Sequence, residues 1–139
     1  MAGTSTPIFP QTVRNAVVTI APADTTTLKT VYTGATNGTR IESMIATSTD
    51  TGAQNIQVWA TISAVNYLLG TVAIPANSGN TNALVTVDLL RAANFPGLAF
   101  DSNGNKYVYL ASGTVLSVST LATVTTAKQI QVFAQGGDY

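Results

Sequence analysis

Residues 55–63 read N-I-Q-V-W-A-T-I-S, and this stretch decides the fold. Side chains of an extended strand point alternately to its two faces, so a period of two separates an apolar row from a polar one. One row contains only apolar side chains, those of Ile56, Val58, Ala60 and Ile62. The other row holds amides, hydroxyls and Trp59, the only tryptophan of the chain. This pattern predicts a half-buried strand of an antiparallel sheet.

Similar short runs recur on both sides of this strand, from residue 13 to residue 135. Turn signals separate them, among which Asn37-Gly38 and Asn103-Gly104 favour the positive φ angles of tight hairpins. No long amphipathic helical pattern is present; the one helical turn that we predict covers residues 89–94, with Asp88 as its N-cap. The sequence therefore predicts an all-β fold, an antiparallel β-sandwich or jelly roll of about eight strands, in one domain over residues 13–139.

Two of these strands have patterns that predict their faces in detail. In residues 40–48, Ile41 and Ile45 are predicted to share one face, with Met44 and Ala46 on the other. In residues 67–74, one face is predicted to carry Leu68, Val72 and Ile74. Gly70 lies in the middle of that strand, where a glycine indicates a β-bulge or a close approach of another group.

Residues 1–12 form a predicted extended N-terminal arm. Pro7 and Pro10 flank Ile8 and Phe9, and proline both fixes an extended backbone and lacks the amide proton that a sheet requires. Two apolar side chains on such an arm favour docking, either on the parent domain or on a neighbouring protein. We therefore predict Ile8 and Phe9 as protein-interface residues.

The composition is nearly free of charge. Six basic and six acidic residues give a net charge of zero, and charged residues make up 9% of the chain against a usual share of about 25%. Such a surface does not attract phosphate groups, which argues against nucleic acid and anionic membranes as partners. It also gives copies no mutual repulsion, so we expect self-association, the alternative being a neutral monomer kept apart by hydration. Neither a leader peptide nor an apolar run near the ~20 residues of a membrane span is evident, which predicts synthesis in the cytoplasm without insertion into a membrane.

The sequence offers little for catalysis. It contains no histidine and no cysteine, which excludes serine–histidine triads, thiolate nucleophiles and most zinc sites. Most of its aspartates stand in turn-like contexts, so a glycosidase pair of carboxylates is not expected. The run Asp101, Asn103, Asn105 resembles the start of a calcium loop, but the positions that require glycine and glutamate hold Lys106 and Ser112, which favours a tight turn. We therefore predict no enzyme, no metal and no cofactor.

The aromatic side chains leave two interpretations open. Trp59, Tyr67, Tyr107 and Tyr109 could form a sugar-stacking platform, or they could serve as ordinary anchors of a core or an interface. The second interpretation is favoured because the sequence does not gather the acidic and amide partners of a sugar site beside these aromatic residues. We predict Trp59 as a contact between subunits.

Four blocks of the sequence resemble small structural proteins of tailed bacteriophages, the capsid decoration or cement proteins. The blocks are residues 36–51 (TNGTRIESMIATSTDT), 66–79 (NYLLGTVAIPANSG), 87–110 (VDLLRAANFPGLAFDSNGNKYVYL) and 132–139 (VFAQGGDY). The resemblance implies a β-sandwich, as a homotrimer, on the capsid exterior of the virion, where it bridges subunits of the major capsid protein. A phage fibre or tail component with a receptor- or glycan-binding role is the alternative.

Overall fold

The computed structural model describes residues 9–139 and contains nine β-strands. The described helical structure is one short 3-10 turn, Pro22–Asp24. The strands are β1 (Thr12–Ile20), β2 (Lys29–Thr33), β3 (Thr39–Ser48), β4 (Gln54–Ile62), β5 (Val65–Ile74), β6 (Val87–Asp88), β7 (Val108–Leu110), β8 (Val115–Thr120) and β9 (Ile130–Asp138).

The strands form two antiparallel sheets that pack face to face. The first sheet has the order β1-β9-β3-β6, with β7 paired to the same edge of β3 as β6, and the second has the order β2-β8-β4-β5. Apart from the short β7, the first strand pairs with the last, the second with the last but one, and so inward to the β4–β5 hairpin. This wrapping is the arrangement of a jelly roll, and the predicted all-β sandwich of about eight strands is confirmed.

The core lies between the two sheets. In β4 the inner row begins as predicted, with Ile56, Val58 and Ala60 buried. The opposite sheet contributes Val132 and Ala134 from β9 among others. Each fully buried isoleucine or valine of this layer stabilises the fold by about 1.5–3 kcal/mol. The two sheets are therefore held together mainly by this apolar layer.

Two β-bulges change the faces that simple alternation predicts. In β3 the register passes from Ile41 opposite Gly136 to Ser43 opposite Gln135, so Glu42 is an extra residue. As a result Ile41 and Met44 are both buried, and Ile45 turns outward, contrary to the prediction. A bulge inserts one residue on one strand and shifts every following side chain to the other face.

The second bulge lies in β5. Val58 pairs with Gly70 and the next residue, Trp59, pairs with Leu68, which leaves Leu69 as the extra residue. The prediction that Leu68 shares the inner face with Val72 is therefore wrong. The prediction for Gly70 is confirmed in both of its forms, because a Cβ atom there would lie 2.6 Å from Cε1 of Phe95.

Asp50 closes one end of the sandwich. This carboxylate is fully buried and accepts hydrogen bonds from the amides of Gly52 and Thr125 (both 3.0 Å), from the Thr125 hydroxyl (2.7 Å) and from Nε2 of Gln54 (3.0 Å). Burial alone would raise the pKa of Asp50, but these hydrogen bonds outweigh it and hold the pKa well below its usual range. The carboxylate thus ties the β3–β4 connection to the β8–β9 connection.

Residues 75–107 cover the edge of the sandwich beside β5 and β6. Residues 89–94 were predicted to form one turn of helix, but they form no helix and contain non-helical turns instead. The predicted cap is present in part, because Oδ1 of Asp88 accepts a hydrogen bond from the amide of Leu90 (3.0 Å). Phe95 is buried against Gly70, whereas Phe100 is exposed. The segment therefore packs on the sheet through Phe95.

The root of the N-terminal arm lies against the C-terminal strand. The amide of Gln11 donates a hydrogen bond to the carbonyl of Asp138 (2.7 Å), and a Cβ atom on Gly137 would meet the ring of Pro10. The side chain of Phe9 is 72% exposed. Ile8 lies outside the described residues, so its docking stays a prediction, as does that of Phe9.

Candidate functional site

The β4–β5 hairpin ends in a cluster of exposed apolar side chains. These residues, called the hairpin tip below, are between 41% and 51% exposed; they are Ile62, Val65, Tyr67, Leu68 and Leu69. Ile62 pairs with Val65 on the inner face, where Ala60 is still buried, so the hairpin projects beyond the opposite sheet. Both faces of the tip are therefore open to a partner.

The turn of this hairpin has an unusual backbone. Ser63 and Ala64 have φ angles of 52° and 64°, the left-handed region that tight hairpin turns require. Residues other than glycine, asparagine and aspartate rarely adopt it, because their Cβ atoms crowd the backbone. The turn carries no glycine signal, but the alternation of the two strands places the break between them at residues 64–66, which overlaps the observed turn at Ala64.

The hairpin tip belongs to a long uncharged part of the chain. No Asp, Glu, Lys or Arg occurs between Asp50 and Asp88, a range that includes all of β4 and β5. Strand β8 beside them is uncharged as well. The sheet surface next to the hairpin tip therefore offers hydroxyls, amides and apolar groups, which suits contact with another neutral surface.

Trp59 lies on the outer face of this sheet, on the uncharged strand β4. It pairs with Ser117 of β8 and with Leu68 of β5, and its indole N–H donates a hydrogen bond to Oγ of Ser119 (3.1 Å). Ser117 and Ser119 are both buried although they point away from the core. The partly exposed indole thus covers two small residues and continues the apolar surface of the hairpin tip through Leu68.

A charged cleft of about 550 Å³ lies on the other sheet, beside the bulge of β3. Six charged side chains line it, half of the twelve in the sequence: Arg40, Glu42, Asp88, Arg91, Asp101 and Lys106. Three are basic and three are acidic, so the charges of the cleft balance. Three of the six carboxylate side chains of the sequence therefore line one cleft.

The bulge and the two short strands create this cleft. Strand β7 covers the edge of β3 at Thr39–Ile41, and β6 covers it at Ile45 and Ala46. The gap between them exposes the bulged residue Glu42 together with Ser43. Arg40 is held there with its Cζ 4.3 Å from the centre of the Tyr107 ring and its Nε 3.3 Å from Oε1 of Glu42.

Asp101 on the wall of the cleft is occupied by its own turn. Its Oδ1 accepts hydrogen bonds from the amides of Asn103 and Asn105 (both 2.9 Å), and its Oδ2 accepts one from Nδ2 of Asn105 (3.3 Å). These bonds, the amide of Asn105 above all, lower the pKa of Asp101. A carboxyl with a lowered pKa is a poor general acid, whereas glycoside hydrolysis requires one with a raised pKa. The geometry is that of the tight turn, with Gly104 at φ 83°.

Three tyrosines, called the tyrosine row below, adjoin the charged cleft. The ring centres of Tyr107 and Tyr109 are 5.1 Å apart with their planes at 73°, and those of Tyr109 and Tyr139 are 6.3 Å apart at 40°. Tyr109 and Tyr139 line a second hollow, of about 580 Å³, with Gln11 and Asn37. The row thus joins a charged cleft to an aromatic hollow.

The C-terminal residues of the VFAQGGDY block assemble this region. The close approach of the Arg40 carbonyl leaves no room for a side chain at Gly136, opposite the bulge. Asp138 forms an ion pair with Arg14 (3.2 Å) and accepts a hydrogen bond from the Thr39 hydroxyl (2.5 Å). Because β9 continues to Asp138 in this way, the terminal Tyr139 is placed beside Tyr109.

The structure separates the aromatic residues that the sequence suggested as one platform. Tyr107 and Tyr109 lie together, but Trp59 is on the outer face of the other sheet and Tyr67 is on the inner row of β5. The sequence did not predict that Arg40 and Tyr139 lie beside Tyr107 and Tyr109. Its one signal for Tyr139 is the position of this residue directly after strand β9, which Gly136 and Gly137 do not interrupt.

In comparisons with known proteins, no protein-family model, no curated protein and no solved structure matched this chain. Within residues 9–139, no helix is long and apolar enough to cross a membrane. In the same part of the chain, histidine, cysteine, aspartate and glutamate nowhere form a group of three or more that could hold a metal ion. The candidate functional sites are therefore the hairpin tip, the charged cleft and the tyrosine row.

Proposed function

We propose that this protein is a structural virion protein of a tailed bacteriophage, a non-enzymatic homotrimer that decorates the exterior of the capsid and braces it by bridging major capsid protein subunits. The observation that carries the proposal is the hairpin tip, an apolar surface on the uncharged strands β4 and β5. The resemblance of the four sequence blocks to capsid decoration proteins supplies the location. Jelly rolls occur in viral capsid proteins and in lectins, so the fold is compatible with this role but does not define it.

The hairpin tip is suited to contact a second copy of the chain. Its five side chains are roughly half exposed, and burying the remaining apolar surface would contribute on the order of 5 kcal/mol before the entropic cost of association. The chain has no net charge to oppose this contact. Trp59 extends the same surface through Leu68, which agrees with its predicted place between subunits.

The N-terminal arm is suited to contact the capsid. Its root is fixed on β9 by Gln11 and Pro10, while Phe9 presents an exposed ring. Three arms on one trimer would bind the major capsid protein at three points, and linked weak contacts give an avidity that exceeds each single affinity by 10²–10⁴. Ile8 and Phe9 are the side chains that we assign to this contact.

The test is to add the purified protein back to capsids that have been stripped of it. The wild type should bind and restore resistance to heat, whereas Phe9→Asp should bind at least about tenfold more weakly. Val85→Asp is the matched control, because Val85 is an apolar side chain that is 84% exposed and lies away from the arm and the hairpin tip. Failure of the wild type to bind capsids, or equal binding by Phe9→Asp, would refute the proposal.

A fibre or tail component with a receptor- or glycan-binding role is the second candidate. The observation that favours it is the charged cleft beside the tyrosine row, which collects the acidic and amide groups that the sequence alone did not place near aromatic residues. Labelling of intact virions with an antibody against the protein would distinguish the two locations. Label over the whole capsid surface supports decoration, and label confined to fibres or tail supports the alternative.

A further inference from the structure

We propose that the charged cleft and the tyrosine row together form a binding site for an uncharged oligosaccharide. This inference does not depend on where the protein lies in the virion, since either a decoration protein or a fibre component can carry a saccharide site. The argument starts from the lining of the cleft.

The cleft matches a neutral ligand that both donates and accepts hydrogen bonds. Its three basic and three acidic side chains balance, and amides of Asn105 and Gln135 and the hydroxyl of Ser43 complete the wall. A phosphate or sulfate group would face the carboxylates of Glu42, Asp88 and Asp101. An apolar ligand would take water away from these charged side chains without replacing its hydrogen bonds, which is unfavourable. Sugar hydroxyls, which donate and accept at once, satisfy both kinds of wall group.

The polar groups of the cleft are fixed before any ligand arrives. Arg40 rests on the Tyr107 ring, and Asp101 is held by the backbone of its own turn. The ammonium group of Lys106 donates hydrogen bonds to the carbonyls of Leu98 (2.6 Å) and Pro96 (3.3 Å). Side chains that are already ordered lose little entropy when a ligand binds. Arg40, Asp101 and Lys106 can therefore bind a ligand at a small entropic cost.

The tyrosine row extends the site beyond a single sugar ring. Tyr109 is 57% exposed and stands between the cleft, through Tyr107, and the hollow lined by Tyr139, Asn37 and Gln11. Exposed aromatic faces pack against the C–H groups of a sugar ring, and the amides of Asn37 and Gln11 offer hydrogen bonds beside them. Burial, reinforced by the neighbouring Tyr109, raises the pKa of Tyr139 above its ordinary value. The two adjoining hollows fit a chain of several sugars.

Saturation-transfer NMR on the full chain tests the proposal. The probes are neutral oligosaccharides built from glucose, galactose, mannose, rhamnose and N-acetylglucosamine, with a heparin hexasaccharide and inorganic phosphate as charged comparisons. We expect at least one neutral oligosaccharide to bind, and Tyr109→Ala to weaken that binding at least about tenfold. Leu121→Ala is the matched control, because Leu121 is exposed to a similar extent but lies in the β8–β9 connection, outside the cleft, the tyrosine row and the hairpin tip; it should bind as the wild type does.

Two further readings complete the test. Gln135→Ala, which removes an exposed amide from the cleft wall, should also weaken binding, whereas the fluorescence of Trp59 should not respond, since Trp59 lies on the other sheet. The proposal is overturned if no neutral oligosaccharide binds, if heparin or phosphate binds in preference, or if Leu121→Ala and Tyr109→Ala lose binding equally. It is also overturned if Tyr109→Ala leaves sugar binding intact but abolishes binding to capsids, which would assign the row to a protein partner.

Discussion

At one end of the sandwich the buried carboxylate of Asp50 closes the core, whereas at the other end the apolar side chains of the hairpin tip lie open to solvent. Strand β4 connects the two, from Gln54 beside Asp50 to Ile62 at the tip. The closed end satisfies a buried charge with four hydrogen bonds, so it needs nothing from outside. The open end leaves apolar surface that only a partner can cover. The domain therefore satisfies its buried groups fully at one end and exposes apolar side chains to solvent at the other.

Replacing Asp50 should break the closed end and have the largest effect on stability. Asp50→Ala leaves the amides of Gly52 and Thr125 and the amide of Gln54 without their acceptor, so we expect a loss of about 3 kcal/mol in the free energy of unfolding. Urea denaturation at neutral pH measures it. Asp24→Ala is the control at a more exposed ion pair, with Lys29, and should have a much smaller effect. A loss no larger than that of Asp24→Ala would contradict the account.

Acid should weaken the same end through protonation of Asp50. The folded protein holds the pKa of this carboxyl below its ordinary value, which the unfolded chain recovers. Its stabilising contribution is therefore fully present above about pH 4 and is lost as the pH falls toward the folded pKa. Urea denaturation between pH 7 and pH 2 should show a steeper acid loss for the wild type than for Asp50→Asn. Identical slopes would mean that Asp50 is not responsible.

Gly70→Ala tests how the loop that carries Phe95 is attached to β5, between the two ends. The added methyl group would lie 2.6 Å from the Phe95 ring, so the ring must move, and we expect a loss of about 2 kcal/mol. Gly97→Ala, where no atom lies within 4 Å of the added carbon, should be nearly neutral. Adding Phe95→Leu to Gly70→Ala should recover part of the stability, since it removes the collision. Equal stabilities of the two alanine variants would refute the packing.

The smallest expected change is in the stability of the hairpin turn at the open end. Replacing Ser63 and Ala64 by Asn and Gly suits the left-handed backbone of the turn and should stabilise the hairpin by about 1 kcal/mol. Hydrogen exchange at the amides of Ile62 and Val65 should slow, while exchange near Asp50 stays unchanged. Faster exchange at the tip would show that the turn geometry is not as described.

Much of the fold follows from local patterns, and what does not follow depends on distant residues. The inner row of β4 and the turn at Asn103-Gly104 could be predicted because each depends on a few neighbouring residues. The bulges at Glu42 and Leu69 could not, since an extra residue in one strand is defined only by its pairing with another. The bulge in β3 reversed the predicted face of Ile45, and the bulge in β5 reversed that of Leu68.

The candidate site was still less accessible to sequence reasoning. Arg40 precedes Asp88 by 48 residues and Asp101 by 61, and it meets them only because β6 and β7 pair with the same edge of β3. Trp59 was recognised as unusual from its place on a polar row, because that depends on alternation alone. The hairpin tip was missed because its inner row is apolar in the sequence, and only the structure shows that the opposite sheet ends before it.

We propose that this protein acts by adhesion through its exposed hairpin tip. Sedimentation equilibrium of the full chain measures directly whether copies of the chain associate. The wild type should sediment as a trimer. The double variant Val65→Asp, Leu68→Asp should sediment as a monomer with an unchanged melting temperature, because both side chains are already half exposed in the single chain. A wild type that stays monomeric at every concentration, or a double variant that still forms trimers, would contradict the account.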